Sequence, residues 1–317
     1  MLRLALLLVA AFPLIAQPYS MTPASGPTAG GTAVTITGDF APGPYTAFFN
    51  HEPAASTTLA DAHTLVLITP PHLPGPTNVT IFKDGQLIVY MNVSFVFTGD
   101  VPAGFERVLL PIFSRPVFGA FGSEFRTALR IANSGAGAVP VYGLIVECGL
   151  ALCIGPESTV IEKDEEVLPV YTGDPGRILW IHESAHLTMN LRVHDVTRSQ
   201  LNFGTEIPIV RETDWVKNRI VLLGVPTDRR FRNTLRIYGQ EPFQAMVTIG
   251  NGAPVHLALS SANGLFEVPY AAFGDFPRDG VPVRVTIESV PNDVPMWAMI
   301  TVTNNETQLI STITPQD

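Results

Sequence analysis

Apolar and polar residues alternate with period two in short runs along this chain, and Gly, Pro, Asn and Asp punctuate the runs. One run occurs twice. Glu124-Phe125-Arg126-Thr127-Ala128-Leu129-Arg130-Ile131 returns as Arg230-Phe231-Arg232-Asn233-Thr234-Leu235-Arg236-Ile237. Phe125, Thr127, Leu129 and Ile131 point one way, and Arg126 and Arg130 the other. This predicts a half-buried strand in each copy, with Phe, Leu and Ile inward and the guanidiniums in water. Phe125 and Phe231 lie 106 residues apart, a spacing for two tandem domains of one type rather than for a solenoid. Other matches extend the repeat. Arg107-Val108-Leu109-Leu110 corresponds to Arg219-Ile220-Val221-Leu222. Val196-Thr197 corresponds to Val302-Thr303, and Thr205-Glu206-Ile207 to Ser311-Thr312-Ile313.

The first part of the chain reads as a separate unit. Val34–Thr37, Phe48-Phe49, Leu65–Ile68, Val79–Phe82, Gln86–Tyr90 and Val93–Phe97 are strand candidates. Thr69-Pro70-Pro71 ends one run, because proline cannot donate to a ladder. Asp84-Gly85 between two runs signals a two-residue hairpin, whose central positions both need positive φ. The ordered series Pro23, Gly26-Pro27, Gly30-Gly31-Thr32, Gly38, Phe40, Thr69-Pro70-Pro71, Gly75, Asp84-Gly85 and Phe95/Phe97 resembles an IPT/TIG domain. Where that family often has a Phe-Gly-Gly turn, this chain has Phe49-Asn50-His51. The resemblance implies an immunoglobulin-like β-sandwich. Members of the family serve in receptors, DNA-binding factors, adhesins and polysaccharide-acting enzymes, so the fold does not fix the role.

The expected architecture is all-β, with three tandem β-sandwich domains. Residues 1–16 read as a signal peptide, 17–98 as the IPT/TIG-like domain, and 99–212 and 213–317 as two related modules. Composition agrees: 26 Gly, 28 Pro and only 15% charged residues suit short strands joined by many turns. A net charge of -9 argues against nucleic acid as the partner. Arg3 followed by the apolar Leu4–Ala16 has the form of an export signal cleaved near Gln17, and an uncleaved anchor is the alternative. No later stretch qualifies as a membrane span, so the expected location is secreted or at the cell surface. In that setting Cys148 and Cys153 read as a disulfide pinning a short loop, worth roughly 2 kcal/mol; free thiols in a core strand are the alternative.

His182-Glu183-Ser184-Ala185-His186 matches the His-Glu-x-x-His pattern, which on a helix places two imidazoles one turn apart with a Glu to activate zinc-bound water. His194, Glu206 and Glu212 are conceivable third ligands. However, Leu187–His194 alternates as a strand, and the sister segment Glu288–Pro295 is broken by proline, so a hairpin is expected in place of the helix. His51, His63, His72 and His256 are expected to be solvated. Glu162–Glu166 reads as a solvated acidic turn, lacking the alternating oxygen ligands of a calcium loop. Asn78, Asn92 and Asn305 fit the glycosylation pattern. Trp180 and Trp297 lie in apolar runs and are expected in cores, with Trp215 the most exposed. The resulting expectation is a non-enzymatic protein without cofactors, for extracellular recognition, adhesion or scaffolding. Its partner is an extracellular protein or polysaccharide. A carbohydrate-binding protein and a zinc hydrolase using His182, Glu183 and His186 are the alternatives.

Overall fold

The computed structural model describes residues 19–112, 116–144, 158–167, 176–198, 203–260 and 265–315. The chain divides into two compact units, Met1–Pro102 and Ala103–Asp317. Residues 1–18, where the export signal is expected, and both cysteines, Cys148 and Cys153, lie outside the described residues.

The first unit is a two-sheet sandwich. Its strands are β1 (Ser20–Thr22), β2 (Ser25–Pro27), β3 (Ala33–Thr37), β4 (Tyr45–Phe49), β5 (Glu52–Pro53), β6 (Ser56–Asp61), β7 (Thr64–Ile68), β8 (Gly75–Lys83) and β9 (Gln86–Thr98). One sheet runs β1-β3-β7-β6 and the other β2-β9-β8-β4-β5, with β2 parallel to β9. Val34, Ile36, Leu65 and Leu67 meet Phe49, Val79, Ile81, Phe95 and Phe97 between them. Phe49, Phe95 and Phe97 pack edge to face at 4.9–5.7 Å, the geometry ring quadrupoles favour. Asp84 and Gly85 take φ of 52° and 77°, as the hairpin signal required. The two strand candidates at 86–90 and 93–97 are one strand. Val93 takes φ 45° and the register slips opposite Asn78, whose side-chain oxygen accepts from the Val93 amide. Such a bulge lets one strand continue past a break in alternation. His72 departs from expectation: it is fully buried, stacked on Phe97 at 4.6 Å. The turn after Pro71 folds over the sandwich, and the His72 amide donates to Thr28.

The second unit holds two sandwiches of one topology. The first contains β10 (Phe105–Leu110), β11 (Val117–Phe118), β12 (Glu124–Asn133), β13 (Val139–Tyr142), β14 (Ser158–Ile161), β15 (Glu166–Val167), β16 (Arg177–His182), β17 (Leu187–Asp195) and β18 (Thr205–Ile207). The second contains β19 (Arg219–Val225), β20 (Phe231–Gly239), β21 (Phe243–Ile249), β22 (Val255–Leu259), β23 (Tyr270–Phe273), β24 (Val283–Val290), β25 (Met296–Asn304) and β26 (Ile310–Ile313). Sheet β10-β16-β13-β14 has its counterpart in β19-β24-β21-β22. The sheet of β15, β12, β17 and β18 corresponds to β23-β20-β25-β26. The repeated run forms β12 and β20, and Leu129, Ile131, Leu235 and Ile237 are buried on the inner face.

Three details differ from the sequence-based expectation. Leu129 pairs with Leu191 and Leu235 with Ile300, so Val193, not Val196, corresponds to Val302. Val196–Arg198 is a 3-10 turn instead. Phe125 and Phe231 point toward their cores but are only partly buried, because each sits at the first or second residue of its strand. Arg232 and Arg236 are not in open water, since the outer face of their sheet is covered by the preceding sandwich.

That cover explains the composition of β25. Met296, Ala298, Ile300 and Val302 face their own core, whereas Trp297 and Met299 join Leu109, Leu110 and Ile112 in the core of the preceding sandwich. A strand buried on both faces reads as a continuous apolar run. Tyr238 on β20 is fully buried in the same junction, and its hydroxyl donates to the Pro111 carbonyl. Trp180 donates its indole N–H to Leu265 at 3.0 Å across the junction. Arg107 grips Glu212 through Nε at 2.9 Å, and Gln240 adds a bond to the same carboxylate. Burial alone would raise the Glu212 pKa, but Arg107 and Gln240 outweigh it and hold it below the ordinary value.

Candidate functional site

The two sandwiches of the second unit differ in a connection that carries an extra strand in the first of them. Between β19 and β20 the chain needs only Pro226–Arg230, whereas between β10 and β12 it runs from Pro111 to Ser123 and includes β11. β11 pairs with the start of β12, Val117 opposite Phe125. A turn at Ala120–Gly122 follows, with Phe121 at φ 58°, a region unfavourable to a bulky side chain. Asp195 and Arg198 fix this turn. Arg198 donates to the Phe121 carbonyl at 3.1 Å, to Ser123 at 2.7 Å and to the buried Asp195 carboxylate. Burial would raise the Asp195 pKa, but bonds from Thr197, Arg198 and the Glu124 amide outweigh it and hold it at about 2.

The inserted connection walls a cleft of about 500 Å³ between the two sandwiches, a size typical of ligand sites. One wall is largely apolar: Ile112, Val117, Ala120, Phe125, Val193 and Ile310. The other is polar and comes from the outer face of β20, β23 and β25: Arg232, Thr234, Arg236, Tyr270, Thr301 and Thr303. Residues at i, i+2 and i+4 of a strand share a face, which brings Arg232, Thr234 and Arg236 into line. A second pocket of about 240 Å³, lined by Phe276 and Arg278 among others, shares Arg232, Thr234 and Thr303 with the cleft. Every charged residue in the two linings is an arginine. Val117, Phe118 and Phe121 are exposed apolar side chains around the inserted turn, and Arg232 lies 6.0 Å from the Phe121 ring.

Arg232 and Arg236 are held by neutral acceptors. Arg232 donates to the side-chain oxygens of Asn305 and of Gln308, the latter at 3.0 Å, and Arg236 to the Thr301 hydroxyl. The Arg236 Nε is buried without a hydrogen-bond partner among the described residues. Desolvation lowers the Arg232 pKa. Burial raises that of Tyr270, with Arg236 beside it opposing.

The residues singled out by sequence fall elsewhere. His182 ends β16, its ring 4.2 Å from Phe105, and His186 is exposed beyond a turn leading into β17. The connection is a hairpin, so the two imidazoles do not share a helical face. Among the described residues no three His, Cys, Asp or Glu side chains gather as a metal site. His194 lies on β17 opposite Arg126, Glu206 pairs with Arg192, and Glu212 is held by Arg107. The Glu162–Glu166 run forms a tight turn, where Glu165 accepts from the Glu162 amide. Trp215 is partly buried against the junction rather than exposed, because the chain crosses between the sandwiches there. Asn92 is exposed, whereas the Asn305 amide donates to Arg229 and accepts from Arg232. The cleft itself escaped sequence reading, although Arg232 and Arg236 stood in the repeated strand and the apolar run Met296–Ile300 marked its buried sheet.

No curated protein matches the chain. Among solved structures, an auxiliary nutrient binding protein from Bacteroides thetaiotaomicron is similar at 10% identity. It covers 94% of this chain and 97% of its own, with a TM-score of 0.21, too low to bear on fold or function. Among the described residues no helix is long and apolar enough to cross a membrane. Residues 16–97 match the IPT/TIG domain. With two sheets closed around Phe49, Phe95 and Phe97 and the Asp84-Gly85 hairpin in place, the head of this chain is an IPT/TIG domain.

Proposed function

We propose that this is an exported, non-enzymatic recognition protein, and that its binding site is the cleft between the modules 99–212 and 213–317. The observation that carries this is the insertion between β10 and β12. It adds a strand that the sister sandwich lacks among the described residues, and it brings Ile112, Val117 and Ala120 to the apolar wall facing Arg232, Arg236 and the threonines. The lining of arginine, hydroxyl and apolar side chains suits holding a ligand by shape and hydrogen bonds. The IPT/TIG domain, common in extracellular recognition proteins, fits the same reading. The apolar leader Leu4–Ala16 supports export to the cell surface or beyond.

An array of extracellular glycans and matrix proteins tests the proposal, comparing the mature chain with Thr303→Trp. Thr303 lines both pockets, so an indole there intrudes on each. Ligands bound by the parent protein should be lost in the variant, with folding unchanged by circular dichroism. Equal binding by both proteins would move the site elsewhere.

A further inference from the structure

We propose that the cleft takes an acidic saccharide, a chain of sugars bearing carboxylates, laid along Arg236, Arg232 and Arg278. This rests on the recognition reading above and names its ligand class. The first ground is charge. The chain carries 28 acidic against 19 basic residues, so a guanidinium has no shortage of carboxylates to pair with. Arg107, Arg126, Arg192, Arg198, Arg211, Arg219 and Arg230 all do so. Among the described residues Arg232 and Arg236, both partly buried, have amide and hydroxyl oxygens as hydrogen-bond acceptors and no carboxylate, with the Phe121 ring beside Arg232. A cation removed from water without a counter-charge is costly, and an incoming carboxylate offsets that cost with charge-assisted bonds. Local rules broken in this way mark functional sites.

The second ground is spacing. Arg232 and Arg236 are four residues apart on one strand, roughly 13 Å at a strand's rise. One carboxylate does not span that distance, whereas a ligand with repeated charges does. The neighbouring pocket that shares Arg232 with the cleft is also lined by the exposed Arg278, a third guanidinium for a longer ligand. The third ground is the contrast between the walls. Hydroxyls of Thr234, Thr301 and Thr303 on one side suit sugar hydroxyls, and the apolar side with Val117 and Phe125 suits the C–H face of a ring.

Calorimetric titration of the mature chain tests this, using galacturonic acid, its trimer, maltotriose and decanoate. The trimer should bind, the monomer at least tenfold more weakly, and maltotriose and decanoate not measurably. Raising salt should weaken trimer binding. Arg232→Gln and Arg236→Gln should each lose at least tenfold in affinity for the trimer. Arg278→Gln, at an exposed position, should weaken the trimer but not the monomer; an unchanged trimer affinity there overturns the laid-along geometry. Maltotriose binding that Thr303→Trp abolishes would overturn the acidic ligand while leaving the cleft as the site. Decanoate preferred over the trimer would overturn the saccharide in favour of an apolar acid. Trimer binding indifferent to Thr303→Trp, Arg232→Gln and Arg236→Gln would overturn the site as well, and no binding of the trimer would overturn the proposal.

Discussion

Replacing Tyr238 with phenylalanine should destabilise both C-terminal sandwiches together. Tyr238 belongs to β20 of the last sandwich, yet it is fully buried in the core of the preceding one and donates to Pro111 there. Removing the hydroxyl leaves the Pro111 carbonyl without that donor, which costs about 1–3 kcal/mol. Tyr238→Ala also leaves a cavity, and loss of a buried aromatic ring costs about 3–5 kcal/mol. At a urea slope of about 2–3 kcal/mol/M, Tyr238→Phe lowers the midpoint by about 0.3–1.5 M. The assay is provided by the chain itself. All three tryptophans, Trp180, Trp215 and Trp297, pack at the junction, and the IPT/TIG domain has none. Tryptophan fluorescence therefore follows the second unit alone, while far-ultraviolet circular dichroism follows both. A single fluorescence transition moved by that amount is expected, with the IPT/TIG transition fixed. A midpoint unchanged in Tyr238→Phe and in Tyr238→Ala would refute the shared junction.

Leu129→Ala and Leu235→Ala should each cost about 2–5 kcal/mol, and Phe125→Ala and Phe231→Ala less than a fully buried ring would, since both rings are partly exposed; equilibrium unfolding ranks them. Asp195 has a folded pKa of about 2, below the ordinary 3.8, so its stabilisation of about 2 kcal/mol is present above pH 4 and fades as pH falls through 2. The stability difference between the parent and Asp195→Asn should therefore shrink on acidification, and a difference independent of pH would remove Asp195 as the anchor of the Phe121 turn. Mass spectrometry of material exported by the native host should find a chain beginning near Gln17 with Cys148 and Cys153 joined; a full-length reduced chain would contradict both.

The strands were legible in the sequence because alternation, Asp84-Gly85 and the proline breaks are local signals. The sister relation was legible in Phe125/Phe231 and Leu129/Leu235, which fill the same places in two cores. Alternation says which side chains share a face, but not what covers that face. It therefore assigned Arg232 and Arg236 to water, although the preceding sandwich covers their sheet. Trp297 and Met299 carried the missing information: outward positions on β25 that are apolar need a partner. His72 was misplaced for a related reason, since a turn following two prolines gives no sign of folding over a core. Strand alternation on both sides of His182–His186 left room for a short connection, and a turn joins β16 to β17.

The central claim is that the cleft between the two sister sandwiches is the recognition site. A crystal structure of the mature chain soaked with the galacturonic acid trimer tests it most directly. The account predicts density along the outer face of β20 and β25, with carboxylates at Arg236 and Arg232 and the chain leading toward Arg278. Ordered ligand in a smaller pocket lined by Trp180, Trp215 and Gln240, or on the IPT/TIG domain, with the cleft empty, would contradict it.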